Sequence, residues 1–238
     1  MQLYYIRHAQ SENNLLWDLT QSAEGRTADP GLTPTGERQA HLLAAHLKTG
    51  ESAPDYSDPH NLTGFGITHV YCSLMLRAVT TGAIVARALD LPLRGWTDLH
   101  ETGGMYTLDM DTEERVGEPG GSRAELTTRF PELVWPADAD PAGWWQRPFE
   151  DANARRPRAE RVLARLVAHH GDTDDRVALV SHAAFYNHVL RALLHIPPDP
   201  GFWCVLDNTG ITRIDFVPQE VRLIYTNHVP HLPLELIT

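Results

Sequence analysis

The chain has 238 residues, enough for one large α/β domain or two small ones. It is 42% hydrophobic and 21% charged, as ordinary soluble globular proteins are, and its formal net charge of −11 argues against a nucleic-acid partner, which would need a basic face. A small phosphorylated substrate stays open, because it feels only the local field of its pocket.

No charged N-terminal region leads into an apolar core, and no apolar run approaches the roughly 20 residues of a membrane span. A cytoplasmic protein without membrane contact is therefore expected. The two cysteines, Cys72 and Cys204, stand far apart in strand-like runs and read as small core residues rather than as a disulfide.

In chain order, Gln2 to Ile6 is a short aromatic and β-branched run, expected as a buried first strand. It leads straight into Arg7-His8, with Gln10, Ser11, Asn13 and Asn14 close behind. Residues 17–30 show no periodicity and are expected as a surface loop. At Thr33-Pro34 a helix is expected to start, with Thr33 as cap, Pro34 at the first helical position and Glu37 in the first turn. Ala40, Leu43, Ala44 and Leu47 form its apolar face.

Residues 49–66 are rich in Pro, Asp, Ser and Gly and are expected as a loop. Ile67 to Cys72 is the second expected strand, and Leu76, Val79, Ala83 and Ala86 give the face of the helix that follows, with Arg77 in its first turn. Leu91 to Trp96 holds a short strand. Residues 102–156 are broken repeatedly by Gly and Pro, with Trp135, Trp144 and Trp145 supplying bulk. They are expected as a cap inserted over one end of the sheet, with short helices at 122–130 and 141–146.

Ala159, Val162, Leu163, Leu166 and Val167 mark another helix, ended by Gly171. Val177 to Ser181 is a continuous apolar run, as in a parallel sheet covered on both faces, and His182 follows it directly. Phe185, Val189, Ala192 and Leu193 mark the next helix. Residues 203–206, 211–217 and 221–225 are expected as closing strands, the last two as a hairpin about Pro218-Gln219. Strand–helix alternation of this kind predicts a single domain of class α/β: a three-layer α/β/α sandwich with a mostly parallel central sheet. Three strands then end in polar pairs, Arg7-His8, Cys72-Ser73 and Ser181-His182, which can converge on one crevice.

Phosphoryl transfer without a metal needs fixed positive charge around the oxygens, a nucleophile and a proton donor for the leaving alcohol. Arg7 and Arg77 offer forked donors for phosphate oxygens, a neutral His8 offers a nucleophilic ring nitrogen, and His182, Asn14 and Gln10 offer further donors. Each has a plain structural reading when taken alone, such as a solvated helix arginine or a satisfied loop histidine.

Together they form a longer pattern: Arg7-His8, Leu32-Thr33, Ser73-Leu-Met-Leu-Arg77-Ala-Val-Thr80, Leu99-His-Glu101 and Val180-Ser-His182, in that order. This set resembles the histidine phosphatase superfamily, the phosphoglycerate-mutase-like proteins. The resemblance implies His8 as phosphoryl acceptor, Arg7, Arg77, His182 and Asn14 as the phosphate pocket, and Glu101 as proton donor. It also implies that Asn208, at the entry to the C-terminal strand, is structural.

Three departures from the family pattern matter. Ala9 and Ala183 stand where the family has glycine, which strains the backbone if those positions require φ > 0. Glu101 is followed by Thr-Gly-Gly-Met rather than the run typical of the mutases, whose carboxylate-binding arginine pair has no clear counterpart; Arg155-Arg156 is a candidate by residue type only. The expected activity is a metal-independent phosphomonoester hydrolase working through phospho-His8 on a small phosphorylated metabolite. The alternatives are a mutase and a non-catalytic phosphate-binding protein. No cofactor is expected. No metal site is expected either, since pairs such as His169-His170 lack a matched carboxylate in the sequence. Oligomeric state is unreadable.

Overall fold

The computed structural model describes residues 1–50, 58–109, 111–112, 114–197 and 201–238. Residues 51–57 of the expected 49–66 loop, and 110 and 113 of the expected cap, lie outside the described residues.

The first strand, β1 (Gln2–Arg7), is buried along almost its whole length because both of its faces are covered. Tyr4 and Ile6 belong to one apolar cluster, Leu3 and Tyr5 to the other. That alternation is the period-2 geometry of a strand with a core on each side. The remaining sheet strands are β2 (His69–Cys72), β3 (Leu93–Gly95), β6 (Leu133–Val134), β7 (Arg176–Ser181), β8 (Ile211–Val217) and β9 (Glu220–His228). They form a seven-stranded sheet in the order β6-β3-β2-β7-β1-β8-β9. Pairing is parallel from β6 through β1, and antiparallel for β1–β8 and β8–β9. The α/β class and mostly parallel sheet are as expected.

On one face lie α2 (Pro34–Leu47) and α3 (Leu76–Leu89), and on the other α5 (Ala152–His170) and α6 (Ala183–Leu193). Thr33 caps α2 through Gly36 N–H, with Pro34 at the first helical position, and the expected apolar face is buried. The hairpin between β8 and β9 turns at Pro218-Gln219, where Gln219 takes φ 73°. Cys72 and Cys204 are free thiols. Among the described residues no helix is long and apolar enough to cross a membrane.

Four expectations are corrected. Residues 17–20 are not loop: α1 (Glu12–Thr20) runs through them, held by a reciprocal capping box between Ser11 and Asn14 rather than by burial, since none of its residues is fully buried. No helix forms at 141–146, which is a series of turns that lets Trp144 and Trp145 enter the core. Residues 203–206 pair with no strand; the Asn187 side chain instead takes both the N–H and the C=O of Cys204. In the 102–156 stretch, a hairpin of β4 (Tyr106–Leu108) and β5 (Arg115–Gly117) precedes α4 (Arg123–Arg129), and the last five residues already belong to α5.

Trp144 and Trp145 are 3% and 1% exposed and pack in the same cluster as Met105, Phe130 and Leu133, beneath the α2–α3 face. Gly104 and Gly120 make this possible. A Cβ on Gly104 would meet the Trp145 ring at 2.0 Å, and one on Gly120 would meet Trp144 at 2.1 Å.

Candidate active site

Strand register brings the polar pairs to one level. Arg7 pairs with Ser181 and Cys72 with Val180, so His8, Ser73 and His182 emerge together from the carboxyl ends of three adjacent parallel strands. The His8 and His182 rings lie 5.0 Å apart at 60°. Within the first turn of α3, Arg77 reaches back so that its Nε–H donates to His8 Nε2 at 3.1 Å.

The tautomer of His8 follows from its neighbours. A carbonyl oxygen can only accept, so the 2.7 Å contact of Nδ1 with the Ala9 carbonyl places the ring proton on Nδ1. The Nε2 lone pair then faces Arg77. Burial, with Arg77 and Arg7 beside it, holds His8 well below the usual histidine range, so the ring is neutral at physiological pH. Its backbone is pinned as well: His8 N–H donates to Ser181 O at 2.9 Å, and Asn208 Nδ2 donates to His8 O at 2.9 Å.

His182 is fully buried, and neither of its ring nitrogens has a hydrogen-bond partner among the described residues. Burial, then the Arg77 charge, also keeps it well below the usual range. An imidazole with two unused nitrogens beside a second imidazole and two arginines is set to meet a polar ligand. Arg7 is anchored at one end, Nη1–H donating to Leu206 O at 2.7 Å, while its Nε finds no partner.

Glu101 enters from the loop after the 3-10 turn Thr97–Leu99, and its carboxylate takes up an unexpected position. Oε1 accepts from Thr102 N–H at 2.7 Å and Phe185 N–H at 2.8 Å, and Oε2 from Ala184 N–H at 3.1 Å. It thus sits on the N-terminus of α6, where free N–H groups and the helix dipole favour an anion. The loop on either side is held by Arg158. Its Nη1–H donates to Asp98 O and His100 O, and its other nitrogens form a bidentate pair with Glu150, which also accepts from Gly103 N–H. Nothing in the sequence around Arg158 marks this role, since it arises only when α5 packs beside the 98–103 loop.

Two expected ligands have other partners, one of them only in part. Asn14 Oδ1 accepts from Ser11 and from Asn208, closing the cap of α1; its Nδ2 donors take part in none of these contacts. Gln10 is the clearer difference: its Oε1 accepts from Thr33 Oγ1 at 2.7 Å, so its side chain ties the first loop to the start of α2 instead of facing His8. Ala9 and Ala183 are both at negative φ, so alanine carries no left-handed strain at either position.

Asp29 was hidden inside the expected surface loop. It accepts from Leu76 N–H at 2.8 Å, capping α3 beside Arg77, and burial raises its carboxyl to about 6 against the opposing pull of Arg77. At the outer edge a ladder of rings and guanidinium groups links this loop to the cap hairpin. Arg26 stacks on Tyr106 at 4.0 Å, Tyr106 meets Phe149 at 4.8 Å, and Arg115 covers Phe149 at 4.7 Å.

The sequence profile of the histidine phosphatase superfamily (branch 1) matches residues 3–228. The chain belongs to this superfamily. A probable phosphoglycerate mutase from Yersinia enterocolitica is 24% identical over 221 residues, 91% of this chain and 85% of that protein. Solved structures share the histidine phosphatase fold. A phosphoserine phosphatase from Entamoeba histolytica, in complex with phosphoserine, superposes with a TM-score of 0.60 at 22% identity, covering 98% of this chain and 99% of that one. A mycobacterial glucosyl-3-phosphoglycerate phosphatase gives 0.59 at 21% identity, covering 95% and 98%.

Proposed function

We propose that this histidine phosphatase hydrolyses small phosphomonoesters without a metal, through a phosphohistidine on His8. The observation that carries the reading is the Nε2 lone pair of a neutral, buried imidazole, placed between Arg77 and His182 at the end of β1. In the first step Nε2 attacks phosphorus while the ester P–O bond breaks, and the leaving oxygen takes a proton. In the second, water attacks the phosphohistidine, the P–N bond breaks, and inorganic phosphate leaves. Arg7, Arg77 and His182 hold the equatorial oxygens, joined by the free Nδ2 of Asn14.

Glu101 is the proton donor in this scheme. It protonates the departing oxygen as the ester bond breaks. It then serves as base for the attacking water.

Hydrolysis is favoured over a mutase because one of the two arginines singled out by residue type is otherwise engaged. Arg156 is bound to Glu160 and to Ile196 O, on the outer side of α5. The similarity to a mutase-named relative keeps isomer analysis in the assay. A non-catalytic role loses its main ground, since neither alanine distorts the site.

The deciding experiment is a rapid quench with labelled phosphoester. It should trap acid-labile label on the wild type and none on His8→Ala, which should also lose turnover while keeping its circular dichroism. Turnover near the wild-type rate in that variant would end the phosphohistidine scheme.

A further inference from the structure

We propose that His69, His170 and Asp175 form a structural binding site for a zinc-class divalent cation at the pole of the sheet opposite His8. The three residues come from separate elements: the first residue of β2, the last of α5, and the loop just before β7. Their ligand atoms all lie within 4.8 Å of one another, the one such grouping among the described residues. His170 was set aside in the sequence for want of a matched carboxylate, and the fold supplies one from Asp175 and a second imidazole from His69.

The spacing suits the ion. Tetrahedral zinc with bonds of ~2.0–2.1 Å sets its ligands ~3.3–3.4 Å apart. Asp175 Oδ2 lies 2.7 Å from His170 Nδ1 and Oδ1 lies 3.6 Å from His69 Nδ1, so the one carboxylate faces both imidazoles at close to ligand separation. Small side-chain rotations suffice. His170 is buried, which fixes its ring, while His69 and Asp175 are each 26% exposed and leave room for a water as fourth ligand.

The outer partners fit too. His170 Nε2 lies 3.1 Å from the Tyr71 hydroxyl, which can donate or accept. Without metal, Nδ1–H donates to Asp175 and Tyr71 donates to Nε2. With metal on Nδ1, the ring proton moves to Nε2 and is donated to Tyr71, the arrangement that orients ligating histidines. Asp172 and Asp174, on the same loop, add negative charge nearby, opposed by Arg94 on β3. An ion here would tie α5 to two parallel strands.

The test uses the full chain stripped with EDTA. Cobalt(II) should bind with one equivalent and give the visible d–d bands of tetrahedral cobalt, and zinc should displace it. Zinc at ~100-fold excess over Kd should raise Tm by roughly 5–10 °C. His69→Ala and Asp175→Asn, both at half-exposed positions, should each lose the bands and the Tm shift, whereas His169→Ala, at the exposed neighbour, should keep them. Circular dichroism of the metal-free variants checks folding, and either variant alone is decisive. Absence of one-equivalent tetrahedral bands in the wild type, or bands that persist unchanged in a folded His69→Ala or Asp175→Asn protein, would overturn the site.

Discussion

Glu101→Gln separates the helix-capping role seen for this side chain from the proton-donor role proposed for it. The glutamine oxygen can keep the position of Oε1 and still accept from Thr102 and Phe185 N–H, but its amide nitrogen then faces Ala184 N–H, donor against donor. One charge-assisted hydrogen bond is lost, at about 1.5–3 kcal/mol. For a chain of this size that lowers Tm by roughly 3–12 °C. The kinetic effect should follow the leaving group instead. An alkoxide is a strong base and needs its proton as the bond breaks, so alkyl phosphates should slow by roughly 10²–10⁴-fold, the usual range for a lost general acid. A nitrophenolate leaves nearly unaided and should slow much less. The assay pairs an alkyl with a nitrophenyl phosphate, with pre-steady-state bursts showing which step limits. Where dephosphorylation limits, both substrates slow together through loss of the base. If phosphorylation limits and both substrates change equally and trivially, Glu101 is only a helix cap, and the donor must be sought at Asp29.

Trp145→Ala should lower stability by about 3–5 kcal/mol, a Tm fall of roughly 6–20 °C by thermal melting, and Trp144→Ala similarly, because both indoles are core; a selective change of substrate preference without loss of Tm would contradict this packing. His8, His100 and His182 are each held well below the ordinary histidine value of about 6.5 by burial, so below that pH the unfolded chain binds protons that the folded one refuses. Stability should fall as pH drops from 7 to 4.5. His188 and His231, lowered to about 4 and about 3 by burial, add to the fall, and Asp29, raised to about 6, opposes it below pH 6 by taking up its proton in the folded state. Urea unfolding across this range checks it, and a flat or rising profile would refute it. EDTA should leave kcat unchanged; a large loss would place a metal in the chemistry.

The central strands were legible because burial on both faces forces an unbroken apolar run, as in Val177–Val180, and α2 because Thr33-Pro34 punctuates its start. Most of the site was legible for the same reason, since polar residues at the ends of apolar strands stand out. What stayed hidden depends on contacts between distant segments. The role of Glu101 as a cap for α6 requires two loops to meet, and Asp29 becomes a buried carboxylate only when 17–30 folds against α3. The chain at Cys204 looks like a strand, yet its backbone groups are taken by the Asn187 side chain. Three-residue strands such as β4 and β5 carry too few residues to show a period.

The ladder from Arg26 through Tyr106 and Phe149 to Arg115 has a different temper from the tryptophans beneath it. An exposed cation–π contact is worth about 0.5–1 kcal/mol, so the rung at solvent-exposed Arg115 stands broken roughly a sixth to a third of the time. The Gly104–Trp145 and Gly120–Trp144 contacts, set in the core, have no comparable freedom. The 102–156 stretch is thus fastened through its indoles in the core, while its outer ladder ends at Arg115 in solvent.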